Sequence, residues 1–300
     1  MKQVRYIYIL IVVAVMHVIV GSALQLSAQS IRTPFPSVFR GTQNNELING
    51  AALRPVYQKI KRGKTVKIMH IGDSHIRGNY LPRTVGQQLK GYFPHSEFNW
   101  YGINGAWARR FYEQDMINRV AAESPDLVII SFGTNEAHGA ILDERMHAET
   151  MRLLTSRIAD RCPGVCFLFT TPPGSYVAPR GGFAAQMGTQ KAVNGKVPNL
   201  RNGDVAKSIV KFCNANNYAV WDIYNIVGGN SMACTNWRNA GLMANDCVHY
   251  LAQGYILQGK LLGDAIYYSY LGTATTGSQT RMMHGSTPKE RKPYKSLKGL

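Results

Sequence analysis

The sequence is short of acid. Seventeen Asp and Glu stand against 34 Lys and Arg in 300 residues, a formal charge of +17. Such a balance suits a polyanionic partner. No RNA- or DNA-binding motif accompanies it, so no nucleic acid partner is expected, and an anionic envelope polymer or a membrane surface fits better. Cysteine is scarce and odd in number, at five, so an exported chain would keep at least one thiol unpaired. None of the five has a zinc-type spacing, and neither a metal nor a cofactor is expected. No internal repeat recurs, which excludes a solenoid or propeller. The apolar content is ordinary, 45%, which excludes disorder and fits a normal buried core.

What is present begins with a separate N-terminal unit. Lys2 and Arg5 precede an apolar run from Tyr6 to Val20, followed by Gly21, Ser22, Ala23, Ser27 and Ala28. That is the layout of a secretory signal peptide over 1–28, with cleavage after Ala23 or Ala28. An uncleaved N-terminal anchor is the alternative, because the run extended to Leu24 approaches the roughly 20 residues that span a bilayer. Either way the remainder is expected to be exported, periplasmic or extracellular. A lead-in with a helix over 45–62 occupies 29–64, one domain fills 65–272, and a basic tail follows over 273–300. Six of the tail's cations, Arg281, Lys289, Arg291, Lys292, Lys295 and Lys298, face only Glu290. Cys162 and Cys166 flank Pro163-Gly164, a spacing that permits a small local disulfide, while Cys213 reads as a buried thiol.

Within the domain, strands alternate with helices. Thr65 to Ile71, Phe98 to Tyr101, Leu127 to Phe132, Val165 to Thr170 and Tyr218 to Trp221 read as strands, three of them apolar almost throughout. Helices are expected around Leu81–Leu89, Ile141–Ile158, Asp204–Ala215 (capped by Asp204) and Leu251–Ile266, with a long loop from Ser175 to Arg201. This order predicts an α/β fold, a single-domain three-layer α/β/α sandwich with a parallel sheet.

In such sheets, sites gather at the carboxyl ends of the strands. Three turns fall there: Gly72-Asp73-Ser74-His75, Gly102-Ile103-Asn104-Gly105 and Gly133-Thr134-Asn135-Glu136. A fourth piece, Asp246-Cys247-Val248-His249, precedes the last helix. Together they supply a hydroxyl, an amide side chain, a glycine N–H and an Asp/His pair, the inventory that acyl transfer requires. No G-x-S-x-G surrounds Ser74, which excludes the nucleophile-elbow type of α/β-hydrolase.

The four pieces, in order, resemble the four sequence blocks of the SGNH (GDSL-type) hydrolases, whose fold is flavodoxin-like. The resemblance implies Ser74 as nucleophile, His249 as base and Asp246 as the group that orients it. It implies an oxyanion hole built from the Ser74 and Gly105 N–H groups and the Asn135 amide. Glu136 departs from the Asp usual after the third-block Asn. His70 reads as a core histidine, Asp73 as an anchor of its turn and Cys247 as structural. His75 is a candidate substrate contact, as are Tyr176 and Arg180 in the long loop, with Phe183 and Lys191 beside them. Trp107 and Tyr101 are candidates for stacking on a sugar.

The longer strings HIGDSH, GINGA and GTNEA resemble the subgroup that includes peptidoglycan and carbohydrate O-acetylesterases. The implied activity is removal of O-acetyl groups from a cell-envelope or extracellular polysaccharide, with an acylated carbohydrate or other small ester as substrate. An O-acetyltransferase using the same residues, or a noncatalytic glycan-binding protein, are the alternatives.

Overall fold

A computed structural model of the protein describes residues 32–139, 141–179 and 195–283. The expected signal segment over 1–28 lies outside the described residues, as do Arg180, Phe183, Lys191 and the tail beyond Met283.

The apolar runs pair into a parallel sheet of five strands: β1 (Val66–Gly72), β2 (Ser96–Gly102), β3 (Leu127–Ser131), β4 (Cys166–Thr170) and β7 (Ala219–Trp221). Their order is β2-β1-β3-β4-β7. Side chains alternate between the faces of a strand, so each strand feeds two cores. Ile68, Ile129 and Leu168 enter one core, Ile71, Ile130 and Phe169 the other. On the first face lie α1 (Arg54–Lys61), α3 (Tyr80–Tyr92) and the last helix, α11 (Ala252–Met283). They contribute Val56, Val85, Leu89, Leu261 and Leu262. On the second lie α4 (Ala108–Phe111), α5 (Gln114–Ala122), α7 (Glu144–Arg161) and α8 (Arg201–Asn216), with Phe111, Ile117, Leu154 and Ile209. The three-layer parallel α/β fold is borne out.

The register levels the strand ends. Gly72 stands opposite both Gly102 and Ser131, and Ser131 opposite Thr170. The turns after β1, β2 and β3 therefore leave the sheet along one rim. A glycine is required at Gly102: a Cβ there would lie 2.3 Å from the Arg77 backbone N and 2.6 Å from the Asp73 carbonyl oxygen. The end of β2 is thus the floor on which the turn carrying Ser74 rests.

Several boundaries differ from the sequence reading. The lead-in helix starts late, as a 3-10 turn over Gly50–Leu53, because Ile48 bridges to Val220 and Asn49 turns left-handed at φ 54°. Asp204 lies in the first turn of α8 and does not cap it. The ends of the long loop pair as β5 (Tyr176–Val177) and β6 (Val197–Pro198). The last helix runs beyond Ile266 to Met283.

Cys162 and Cys166 are free, buried thiols rather than a disulfide. Cys162 closes α7 in one core while Cys166 opens β4 in the other, so the two point to opposite sides of the sheet.

The chain leading into the fold is pinned by Asp264, which is 1% exposed. Its carboxylate accepts hydrogen bonds from the Thr33 N–H at 2.6 Å, the Tyr92 hydroxyl at 2.7 Å and the Gln88 amide. Three donors compensate the burial of one charge. Among the described residues, no helix is long and apolar enough to cross a membrane.

Candidate active site

The polypeptide leaves β1 at Gly72 and turns at once into a short helix, α2 (Ser74–Arg77). Asp73 is the N-cap: its Oδ1 accepts from the His75 N–H at 2.9 Å, satisfying one of the orphan donors of the helix start. This places Ser74 at the first helical position, on the rim. Its Oγ lies 2.9 Å from His249 Nε2, across 175 residues of sequence. His249 Nδ1 lies 2.6 Å from Asp246 Oδ2.

Asp246 accepts twice more through Oδ1, from the Val248 and His249 N–H groups, each at 2.9 Å. Burial alone would raise this carboxyl. The hydrogen bonds from the Val248 N–H, the His249 ring and the His249 N–H outweigh it and hold the group down at about 2. The side chains of His249 and Asp246 are 40% and 49% exposed, so the pair sits at the surface and is open to solvent.

The segment that carries the pair is fastened on three sides. The Ala244 N–H donates to the His249 carbonyl at 2.9 Å, and Met243 bridges to Tyr250. The Tyr176 N–H donates to the Cys247 carbonyl at 2.8 Å. The Lys196 ammonium donates to the Asp246 carbonyl at 2.7 Å. Cys247 itself is left-handed, with φ 58°, and fully buried, and its sulfur accepts from Arg238 Nη1 at 3.3 Å.

The second and third turns meet the first. Gly105 has φ +69° and a clear space where a Cβ would stand, so its backbone borders open room. Asn135, at the start of α6 (Thr134–His138), donates through Nδ2 to the Ala106 carbonyl at 3.0 Å and to Asp73 Oδ2 at 3.2 Å. Glu136 spans two helix starts: Oε1 accepts from the Ala108 N–H at 2.8 Å and Oε2 from the Gly133 N–H at 3.0 Å. This side chain ties the second turn to the third. Burial pushes its carboxyl up, and those N–H groups oppose the shift.

Asp73 is 1% exposed. Burial pushes it up to about 8, against the His75 N–H, with neighbouring Glu136 adding to the rise. Between the ordinary carboxylate value and about 8, the folded state therefore holds a proton that the unfolded chain has lost. The sign follows: stability falls as pH rises from about 4 to 8, and the Asp73 contribution is complete only below that window. Replacing Asp73 with Asn removes this part of the slope, checked by comparing Tm against pH for the two proteins.

Two expectations about the cleft wall change. Tyr176 is 2% exposed and packed into the core, so its ring has no surface to offer a sugar. His75 is 6% exposed and packs against the His249 ring, so it offers little surface to a ligand. Its ring centre is 5.2 Å from that of His249, and its Nδ1 is 2.9 Å from the Tyr255 hydroxyl. Burial and the nearby His249 lower it to about 3, so the ring is neutral. His70 is a core residue, with Nε2 at 2.7 Å from Ser131 Oγ. Of the two aromatics near the second turn, Trp107 is the more exposed, at 36%, and lies beneath the Arg109 guanidinium at 5.3 Å. Tyr101 packs against Phe111 and under Arg119. The contact between Asp73 and Asn135 has only one sequence signal, an Asp and an Asn in two turns at neighbouring strand ends.

Chemically, the set joins a hydroxyl, an imidazole able to take its proton and a carboxylate able to fix the imidazole tautomer. Among the described residues, no group of His, Cys, Asp and Glu could hold a metal ion.

The sequence profile of the GDSL-like lipase/acylhydrolase family matches residues 70–257. No curated protein matches the chain by sequence. Among solved structures, one of a peptidoglycan O-acetylesterase is similar with a TM-score of 0.62 at 16% identity, covering 78% of this chain and all of that one. One of an acetyl xylan esterase is similar with a TM-score of 0.50 at 18% identity, covering 68% of this chain and 99% of that one. At these identities the likeness is one of fold.

Proposed function

The chain belongs to the GDSL-like lipase/acylhydrolase family, and from that premise we propose that it is an exported serine esterase that removes O-acetyl groups from a cell-envelope or extracellular polysaccharide. The observation that carries the reading is the hydrogen-bonded line from Ser74 Oγ through His249 to Asp246. His249 Nε2 takes the Ser74 proton as Oγ attacks the acetyl carbon, and Asp246 holds the imidazole in the tautomer that can accept it. Negative charge gathers on the former carbonyl oxygen. The Ser74 and Gly105 N–H groups and the Asn135 amide are the donors for it, Asn135 turning toward the oxyanion one hydrogen that Asp73 now holds. Collapse expels the sugar hydroxyl, which receives the proton from His249. Water then repeats the sequence on the acetyl-enzyme and releases acetate.

An acetylated carbohydrate as substrate is supported by the shared fold of the peptidoglycan O-acetylesterase and the acetyl xylan esterase. The surface position of the triad also suits a polymer, which reaches the serine without entering a tunnel. Export rests on the charged and apolar residues from Lys2 to Val20. Acetate release from O-acetylated peptidoglycan and acetylated polysaccharides tests the reading. Release by the wild type and none by Ser74→Ala is the expected result. Cleavage of lipid esters with no acetate from any acetylated glycan would overturn the substrate.

A further inference from the structure

At the end of the sheet opposite Ser74, where the strands begin, cations collect. The end of α1 and the start of β1 carry Lys61, Arg62, Lys64 and Lys67, and the end of α3 carries Lys90, whose ammonium reaches the Ser96 carbonyl at the start of β2. All five are exposed, and among the described residues none of them is in an ion pair. The acids nearby are few. Asp126 is held by the Lys59 ammonium at 2.7 Å, Glu123 accepts from the Asn99 amide at 2.7 Å, and Glu97 stands opposite Lys67 in the register. Tyrosines of α11 fill the space between α1 and α3. Tyr270 meets Tyr57 and Phe93 edge-on, with ring centres 5.7 and 5.2 Å apart, and Tyr267 stacks on Tyr92 at 4.1 Å. The Arg32 guanidinium lies over the Tyr268 ring at 4.1 Å.

The chain enters the fold at this same end. Thr33 is bound to Asp264, twelve residues along α11 from Ala252 and so about 18 Å from the rim at which that helix starts. The other partners of Asp264, Gln88 and Tyr92, belong to the last turns of α3, just before β2 begins. The apolar run extended to Leu24 ends nine residues before Thr33, a reach of at most about 30 Å.

We propose that this basic end of the sheet is a docking surface for the anionic headgroups of a lipid bilayer, and that it holds the protein with the Ser74 rim turned away from the membrane. Each Lys or Arg close to an anionic lipid surface strengthens binding about fivefold, and tyrosine rings suit the headgroup level. One apolar chain and one polybasic patch are together the two signals that stable anchoring takes. Here both point to one side of the molecule, because Thr33 ties the segment after the apolar run to the end that carries the cations. That apolar run, within reach of the face, is what selects a bilayer over a soluble polyanion. Where the run is cleaved off, the face remains as a reversible contact. The inference shares only export with the function proposed above. Its consequence for that function is orientation: the triad opens toward polymer beyond the membrane and not toward lipid.

Amine footprinting of the full chain on vesicles tests this. The protein is mixed with phosphatidylcholine vesicles, with and without phosphatidylglycerol, and treated with a water-soluble acylating reagent, and each lysine is read by peptide mass spectrometry. With phosphatidylglycerol, labelling of Lys61, Lys64, Lys67 and Lys90 is expected to fall about fivefold or more. Lys196, beside the triad, and Lys211, on α8 of the other helix layer, are expected to label equally on both vesicles. The protection fades in about 1 M salt, where the screening length shrinks to about 3 Å. In the double variant Lys61→Glu, Lys64→Glu, protection of Lys67 and Lys90 is expected to disappear while p-nitrophenyl acetate turnover stays at the wild-type rate. Equal protection of every lysine would mean diffuse attraction and overturn the proposal. So would protection of Lys196, which would turn the rim toward the bilayer, or no difference between the two vesicles. None of these lysine readings depends on ester turnover, so they stand or fall apart from the acetyl-glycan reading.

Discussion

Ester hydrolysis by Ser74→Ala falls roughly 10⁴–10⁶-fold in kcat, and His249→Ala falls by a similar factor. The reason lies in the single hydrogen bond between them. A serine hydroxyl without a base is a poor nucleophile, and a base without the hydroxyl has only water to activate. The two losses are therefore not additive: the double variant is expected to be no worse than either single one, the residue of activity coming from binding and the oxyanion donors. Both substitutions are expected to leave the fold standing. His249 is substantially exposed, and the turn around Ser74 is held by Asp73 and by the close approach of Gly102, neither of which uses the hydroxyl. Rates with p-nitrophenyl acetate for wild type, both single variants and the double variant, with unfolding curves alongside, check this. Additive losses would mean that the two side chains do not act as a unit.

The second large effect is expected from Asp246→Asn. The substituted side chain can still accept from the Val248 and His249 N–H groups through its amide oxygen, so the local turn survives. Its NH₂ group then faces His249 Nδ1, where the carboxylate now stands at 2.6 Å. A donor there favours the tautomer with the hydrogen on Nε2, the nitrogen that must accept the serine proton. In a buried triad the equivalent change costs roughly 10⁴ in kcat. Here the carboxylate is half exposed, so water can compete for Nδ1 and soften the error, and a loss of about 10²–10⁴ is expected. The loss is expected in kcat with KM unchanged, because both oxygens are already engaged by the backbone and the ring of His249. Steady-state kinetics of the purified variant decide it; a fall in affinity alone would place Asp246 in substrate binding instead.

The parts of the site that were legible in the sequence are those whose chemistry is local. Gly72 ends and Gly133 closely follows strands whose apolar runs need no context, and the three-residue spacing from Asp246 to His249 lets the carboxylate reach both the ring and the backbone of the same turn. The parts that were not legible depend on partners far along the chain. Tyr176 looks like a loop aromatic free to meet a sugar, and only the pairing of β5 with β6 and the bond to the Cys247 carbonyl draw it into the core. His75 looks like a neighbour of the substrate until Tyr255, 180 residues later, takes its Nδ1. The disulfide between Cys162 and Cys166 is plausible by spacing and fails because a helix end and a strand start send the two sulfurs to opposite cores. The helix α10 (Gly229–Asn239) is rich in Gly, Asn, Ser and Thr, so neither its propensity nor its period stands out. Burial of Ala233, Cys234 and Trp237 against the first core stabilises it.

Covalent labelling is the most direct test of the central claim, that Ser74 is a nucleophile activated by His249. The wild type is treated with a fluorophosphonate, which reacts with an activated serine hydroxyl, and the adduct is located by peptide mass spectrometry. The account predicts one adduct, on Ser74, absent from Ser74→Ala and strongly reduced in His249→Ala. Labelling that leaves Ser74 unmodified, or that persists undiminished without His249, would contradict it.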